Sequence, residues 1–183
     1  MKRLLLAAPF GLAFMMAAAP ASANSGTIFF EGEIKTGSCP IEIIDPISGG
    51  IGNSVPMGIA NTGDFTAIDT EVNERRFSMR VPDSCVASDG DITVNFVSQA
   101  GAAGSRSDLY ALRPSSNSAT GVALVIKDQR DKTVIAHGAE SKPYTVASGA
   151  GVNMEFLAAY KATAATVTQG AVNADVNFTV TLP

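Results

Sequence analysis

The feature that most constrains this chain is a period-two alternation of apolar and polar residues, repeated in short runs along most of its length. In the clearest run, Ala174, Val176, Phe178, Val180 and Leu182 share one face, and Asp175, Asn177, Thr179 and Thr181 share the other. Successive side chains of a strand point to opposite faces, so such a run is a half-buried strand and not a helix. The same pattern recurs at Ile28, Phe30 and Ile34, at Cys39, Ile41 and Ile43, and at Phe77, Met79 and Val81. It returns at Ile92, Val94 and Phe96 and at Met154, Phe156, Ala158 and Tyr160. Val122 to Ile126 and Thr133 to Ala136 flank a turn at Asp128–Asp131 and read as a hairpin. Segments rich in Gly, Ser, Asn, Asp and Pro separate the runs: 48–53, 83–91, 99–107, 114–120 and 148–151. Only Ser107 to Leu112 leaves room for a helical turn. Many short strands punctuated in this way predict one all-β domain, an antiparallel sandwich or barrel.

The opening residues stand apart from this pattern. Lys2 and Arg3 precede an almost wholly apolar stretch from Leu4 to Ala19, and Ala21-Ser22-Ala23 is a small-x-small site. That is the form of a cleaved secretory signal peptide over residues 1–23. The rival reading is a membrane anchor, since Leu4 to Ala23 approaches the ~20 residues needed to span a bilayer. Pro9, Gly11 and Pro20, and the taper toward small residues, argue against it. Cleavage would leave about 160 residues and, with two of the 13 basic residues removed against 17 acidic ones, a net charge of about −6. That balance does not suit nucleic acid or an anionic membrane as partner.

Cys39 and Cys85 are the two cysteines, and both lie in the exported part. An even pair in an oxidising compartment predicts a disulfide. Closing a loop of that length stabilises a fold by about 4 kcal/mol on the chain-entropy model. The alternatives are two buried thiols or a metal site, and the single histidine, His137, offers too few ligands for the latter.

Two observations sit oddly together. The best strand, Ala174 to Leu182, comes last, while a second alternating strand, Gly26 to Ile34, opens the exported part. A terminal strand this apolar on one face needs a neighbour along its edge, or it exposes unpaired backbone and hydrophobic surface. By alternation alone, Gly26–Ile34 could equally be the first strand of a complete sandwich.

Gly26-Thr27-Ile28-Phe29-Phe30-Glu31-Gly32-Glu33-Ile34, followed by Cys39, resembles the start of type 1 and P-type fimbrial subunits of the chaperone–usher pathway. Val55-Pro56-Met57-Gly58-Ile59, Phe77–Cys85, Met154–Tyr160 and Gly170–Val180 match in the same order. The resemblance implies an incomplete immunoglobulin-like β-sandwich over residues 37–183, lacking its C-terminal strand, with a donor-strand extension over 24–36. Val176, Phe178, Val180 and Leu182 would form the apolar face of the last strand beside the acceptor groove. Gly26, Ile28, Phe30, Gly32 and Ile34 would insert into the groove of another copy by β-strand addition, with Gly32 as the residue that fits its shallow position. The implied partners are other pilin subunits in a head-to-tail polymer, a periplasmic chaperone and an outer-membrane usher. The implied setting is a fimbrium on the cell surface that supports adhesion. Burying Ile28, Phe30 and Ile34 would contribute roughly 5–9 kcal/mol. Many members carry Tyr as the penultimate residue, where this chain has Leu182.

No other motif carries chemistry. His137 has no Asp or Ser at a telling spacing and reads as solvent-exposed; Gly101-Ala102-Ala103-Gly104-Ser105 lacks the Lys of a phosphate loop. Asp89-Gly90-Asp91 suggests a tight turn ahead of the Ile92 strand more than a calcium site, and Arg75-Arg76 a solvated strand start. No catalytic constellation, metal site or cofactor is expected. The competing functions are a secreted single-domain binding module (a lectin-like adhesin or adaptor) and, less favoured, an exported enzyme.

Overall fold

The structure is a computed structural model and describes residues 39–45 and 47–183. Among the described residues ten strands form two sheets. In chain order they are β1 (Glu42–Ile44), β2 (Ile51–Gly52), β3 (Glu71–Val81), β4 (Gly90–Ser98), β5 (Ala102–Ala103), β6 (Arg106–Tyr110), β7 (Val122–Asp128), β8 (Tyr144–Val146), β9 (Val152–Ala162) and β10 (Val176–Thr181). The larger sheet has the order β2-β1-β3-β9-β7-β6-β5 and the smaller one β10-β4-β8, with every pairing antiparallel.

Alternation accounts for how the sheets face each other. Phe77, Met79 and Val81 of β3, Met154, Phe156, Ala158 and Tyr160 of β9, and Ile92, Val94 and Phe96 of β4 are all buried. Phe77, Phe96 and Phe156 form the aromatic centre that joins the sheets, with centroids 5.2–6.3 Å apart, within the range where ring pairs attract. β7 is buried on both faces: Ala123 and Val125 join Leu109 and Ala159 in a second, smaller core behind the large sheet.

Several local expectations are refined. β6 occupies 106–110, where a helical turn had been allowed, because Leu109 and Tyr110 are each drawn into a different core. The return after the Asp128–Asp131 turn makes a hairpin of a few bonds, Asp128 N–H to Thr133 O at 2.9 Å and Ile135 N–H to Ile126 O at 2.9 Å, and does not extend into a strand. It then runs on beside β4, where Gly138 N–H donates to Phe96 O and Ser141 N–H to Val94 O. His137 on this run is half-buried with its ring 5.5 Å from that of Tyr110, so the expected solvent exposure is replaced by packing. Asp91 ties the start of β4 to β8, accepting from Thr145 Oγ1 at 2.6 Å, and Asp89 ties the residue before β4 to the turn after β8, accepting from Ser148 N–H at 2.7 Å.

Cys39 and Cys85 are joined in a disulfide with Cα atoms 5.6 Å apart. The bridge fixes the approach to β1 against the 3₁₀ turn at Asp83–Cys85 that follows β3. The register Glu42↔Arg80, Ile43↔Met79 then carries Ile43 to the inner face, and Glu42 pairs with Arg80 outside.

Candidate functional site

The site begins at an edge. Among the described residues β10 pairs with β4 alone, in the register Val176↔Ser98, Phe178↔Phe96, Val180↔Val94. Its other side presents backbone N–H and C=O groups with no ladder partner, a ready template for another strand. The inward face of β10 is correspondingly only half covered. Val176, Val180 and Leu182 are partly buried against the main core, whereas Phe178 keeps 39% of its surface exposed. A Phe so open, in line with three residues that pack, marks a core not closed at this edge.

Along that edge runs a groove of about 820 Å³. Val176 and Phe178 form one wall, while Ile43 and the extended segment 53–58 form the other. Phe77, Phe96, Leu124, Ile126, Ala158 and Tyr160 make an apolar floor. Four residues of the connection from β9 to β10 (Val172 to Asp175) close one end, with Gln99 and Arg113. Tyr160 holds this connection in place by donating its hydroxyl to Val172 O at 2.9 Å, and burial pushes that phenol up from its ordinary pKa. Arg113 and Asp175 form an ion pair at the rim, backed by Arg113 N–H to Asn173 O at 2.7 Å. The Asp175 carboxyl lies below its usual range because it accepts from that guanidinium.

Two glycines allow the connection its path. Gly121 has φ +75°, and a Cβ there would lie 2.3 Å from Thr166 O; at Gly170 a Cβ would lie 2.4 Å from Ala119 N. These close backbone approaches permit the bonds Ala171 N–H to Asn117 O (2.7 Å) and Ala119 N–H to Ala171 O (3.0 Å).

Of the residues singled out in the sequence, Val176 and Phe178 line the groove, while Val180, farther along the strand, and Leu182, just past its end, pack against the main core. Gly26, Ile28, Phe30, Gly32 and Ile34 lie outside the described residues. Sequence reasoning missed the far wall at 53–58, the floor residue Tyr160 in its positioning role, and the Arg113–Asp175 pair. The first carries a signal in Val55-Pro56-Met57, an apolar segment with no alternation; the ion pair joins residues 62 positions apart and leaves no local trace. Among the described residues no group of three His, Cys, Asp or Glu side chains could hold a metal ion. What the arrangement can do is accept an extended chain, supplying a hydrogen-bonding edge and an apolar trough.

Comparison with known proteins agrees with this architecture. The family model described as Fimbrial protein matches residues 28–182. A fimbrial subunit type 1 of Salmonella typhimurium is 32% identical over 162 residues, covering 87% of this chain and 83% of that protein. A crystal structure of an antigen and type I fimbria protein from Burkholderia pseudomallei aligns with a TM-score of 0.53 at 29% identity, covering 78% of this chain and 88% of the other. The rod subunit of the P pilus, at 19% identity, shares the fold, with a TM-score of 0.53 and coverage of 71% and 92%. With a sandwich whose last strand has one edge unpaired among the described residues and a family match over residues 28–182, this protein belongs to the fimbrial protein family.

Proposed function

We propose that the chain is a structural, non-catalytic subunit of a surface fimbrium, exported with loss of residues 1–23 and polymerised head to tail by donor-strand exchange. The groove along β10 of one copy takes residues Gly26–Ile34 of the next. Before assembly a periplasmic chaperone covers the same edge, and the outer-membrane usher catalyses the replacement. The observation that carries this reading is the edge of β10 that has no partner strand among the described residues, with Phe178 39% exposed beside an apolar groove. An alternating segment with Ile28, Phe30 and Ile34 on one face complements that trough. Donor and acceptor are different surfaces, so the contact is heterologous and propagates as a filament instead of closing as a dimer.

The test is complementation in trans. A peptide of Gly26 to Ile34 added to the chain truncated before Gly37 should raise its unfolding free energy in proportion to the logarithm of peptide concentration, by about 2.7 kcal/mol at a hundredfold excess over Kd. The same peptide carrying Gly32→Leu should lose most of that effect. A melting curve indifferent to the native peptide would remove the proposal.

A further inference from the structure

The rim of the groove carries charges that an apolar trough does not need. Arg113 and Asp175 meet there, with side chains 56% and 33% exposed, at the end of the groove where β10 begins. The donor-strand extension, residues 24–36, is charged at one end only: Glu31, Glu33 and Lys35 fall in its C-terminal half, and Gly26 to Phe30 carry no charge.

We infer that Arg113 and Asp175 form a charged receptor for Glu33 and Lys35 of a second copy and so fix the register of the inserted strand; this rests on the donor-strand reading above. The pairing is antiparallel, with Ile34 opposite Val176, Gly32 opposite Phe178, Phe30 opposite Val180 and Ile28 opposite Leu182. Gly32, lacking a side chain, then faces Phe178, the bulkiest residue of β10 and the exposed one on its apolar face, and the branched or aromatic residues face Val and Leu. On the outer face Lys35 lies opposite Asp175, and Glu33 lies opposite Asn177, diagonal to Asp175 and within reach of Arg113. Sliding the insert by two residues toward Ala174 sets Glu33 opposite Asp175, a like-charge pair, and drives Phe30 onto Phe178. Sliding it two the other way sets Ile34 against Phe178 and leaves Val176 facing Thr36. A one-residue slip turns Glu31 and Glu33 into the trough. The apolar face alone narrows the choice to even shifts, and the charges select among them.

The test compares assembly rates of the chain from Asn24, followed by light scattering with electron microscopy of the products. Four forms are used: wild type, Glu33→Lys/Lys35→Glu, Arg113→Glu/Asp175→Arg, and all four changes in one chain. At low salt each reversal alone should slow assembly by about two- to tenfold, as expected for rim charges, and the fourfold variant should recover the wild-type rate. Near 1 M salt, where the screening length falls to about 3 Å, the forms should converge. A fourfold variant no faster than its slower parent, or single reversals without effect, would overturn the inference. Should the body-side reversal misfold, Glu33→Gln/Lys35→Gln leaves the sandwich untouched, and an undiminished low-salt rate for that variant is equally decisive against it. Equal polymer from all forms defeats the charged receptor alone, whereas no polymer from the wild-type chain defeats the donor-strand reading beneath it.

Discussion

Asp128 is the most deeply committed charge in the described structure. Its side chain is 1% exposed, at the end of β7, where the chain turns back toward the smaller sheet. Its carboxylate accepts from Arg130 Nη2 at 2.6 Å, Arg130 Nε at 3.0 Å and Arg130 N–H at 2.8 Å. The guanidinium lies 3.6 Å over the Tyr144 ring and also donates to Pro143 O at 3.0 Å. The turn is thereby stapled to β8. Burial pushes the Asp128 carboxyl up, but the hydrogen bonds from Arg130 outweigh it and the net shift is downward. A lowered folded-state pKa contributes stability that is present above the ordinary carboxylate value and lost as pH falls below it. Asp128→Asn should therefore cost about 1–3 kcal/mol in urea denaturation at neutral pH. The difference from wild type should shrink as the pH drops below about 3.8. Equal stability at neutral pH would show that the staple contributes nothing.

At the scale of elements, the decisive one is the connection from β9 to β10. It forms one end of the groove, and it can do so only because Gly121 and Gly170 let its backbone pass close to residues 117–121. Gly121→Ala combines a positive φ with a clash on Thr166 O and should destabilise the fold by about 1–3 kcal/mol. Hydrogen exchange should report faster opening of 163–173 than of β4, whose neighbours are unchanged; uniform acceleration throughout would mean the connection is not a separate unit. The strands themselves were legible in proportion to their burial pattern. β4, β10 and the second half of β3 turn one face to the core and show alternation, whereas β9 alternates only up to Phe156 and is then buried on both faces as far as Tyr160. β5 and β8 are too short to display a period, and β6 mixes residues belonging to two cores.

At the scale of the whole molecule, the sandwich is held at its weak side by a covalent tie. The Cys39–Cys85 bridge anchors β1, the three-residue strand that flanks β3 at the groove side. Replacing both cysteines by Ser should cost about 2–4 kcal/mol and lower the midpoint of chemical unfolding, since the reduced chain regains the entropy of a long open loop. An unchanged midpoint would assign the stability of β1 to packing alone. The sequence by itself determined the all-β class, the disulfide partners and which face of the last strand is apolar, because alternation and cysteine count are local or arithmetic properties of the chain. It also carried the family resemblance, through motifs in a fixed order. Only the tertiary structure decided that Phe178 stays 39% exposed, that 53–58 forms the opposite wall, and that Arg113 meets Asp175 at the rim. Those outcomes depend on which strands become neighbours across the two sheets, and residues brought together from distant positions leave no periodicity to read.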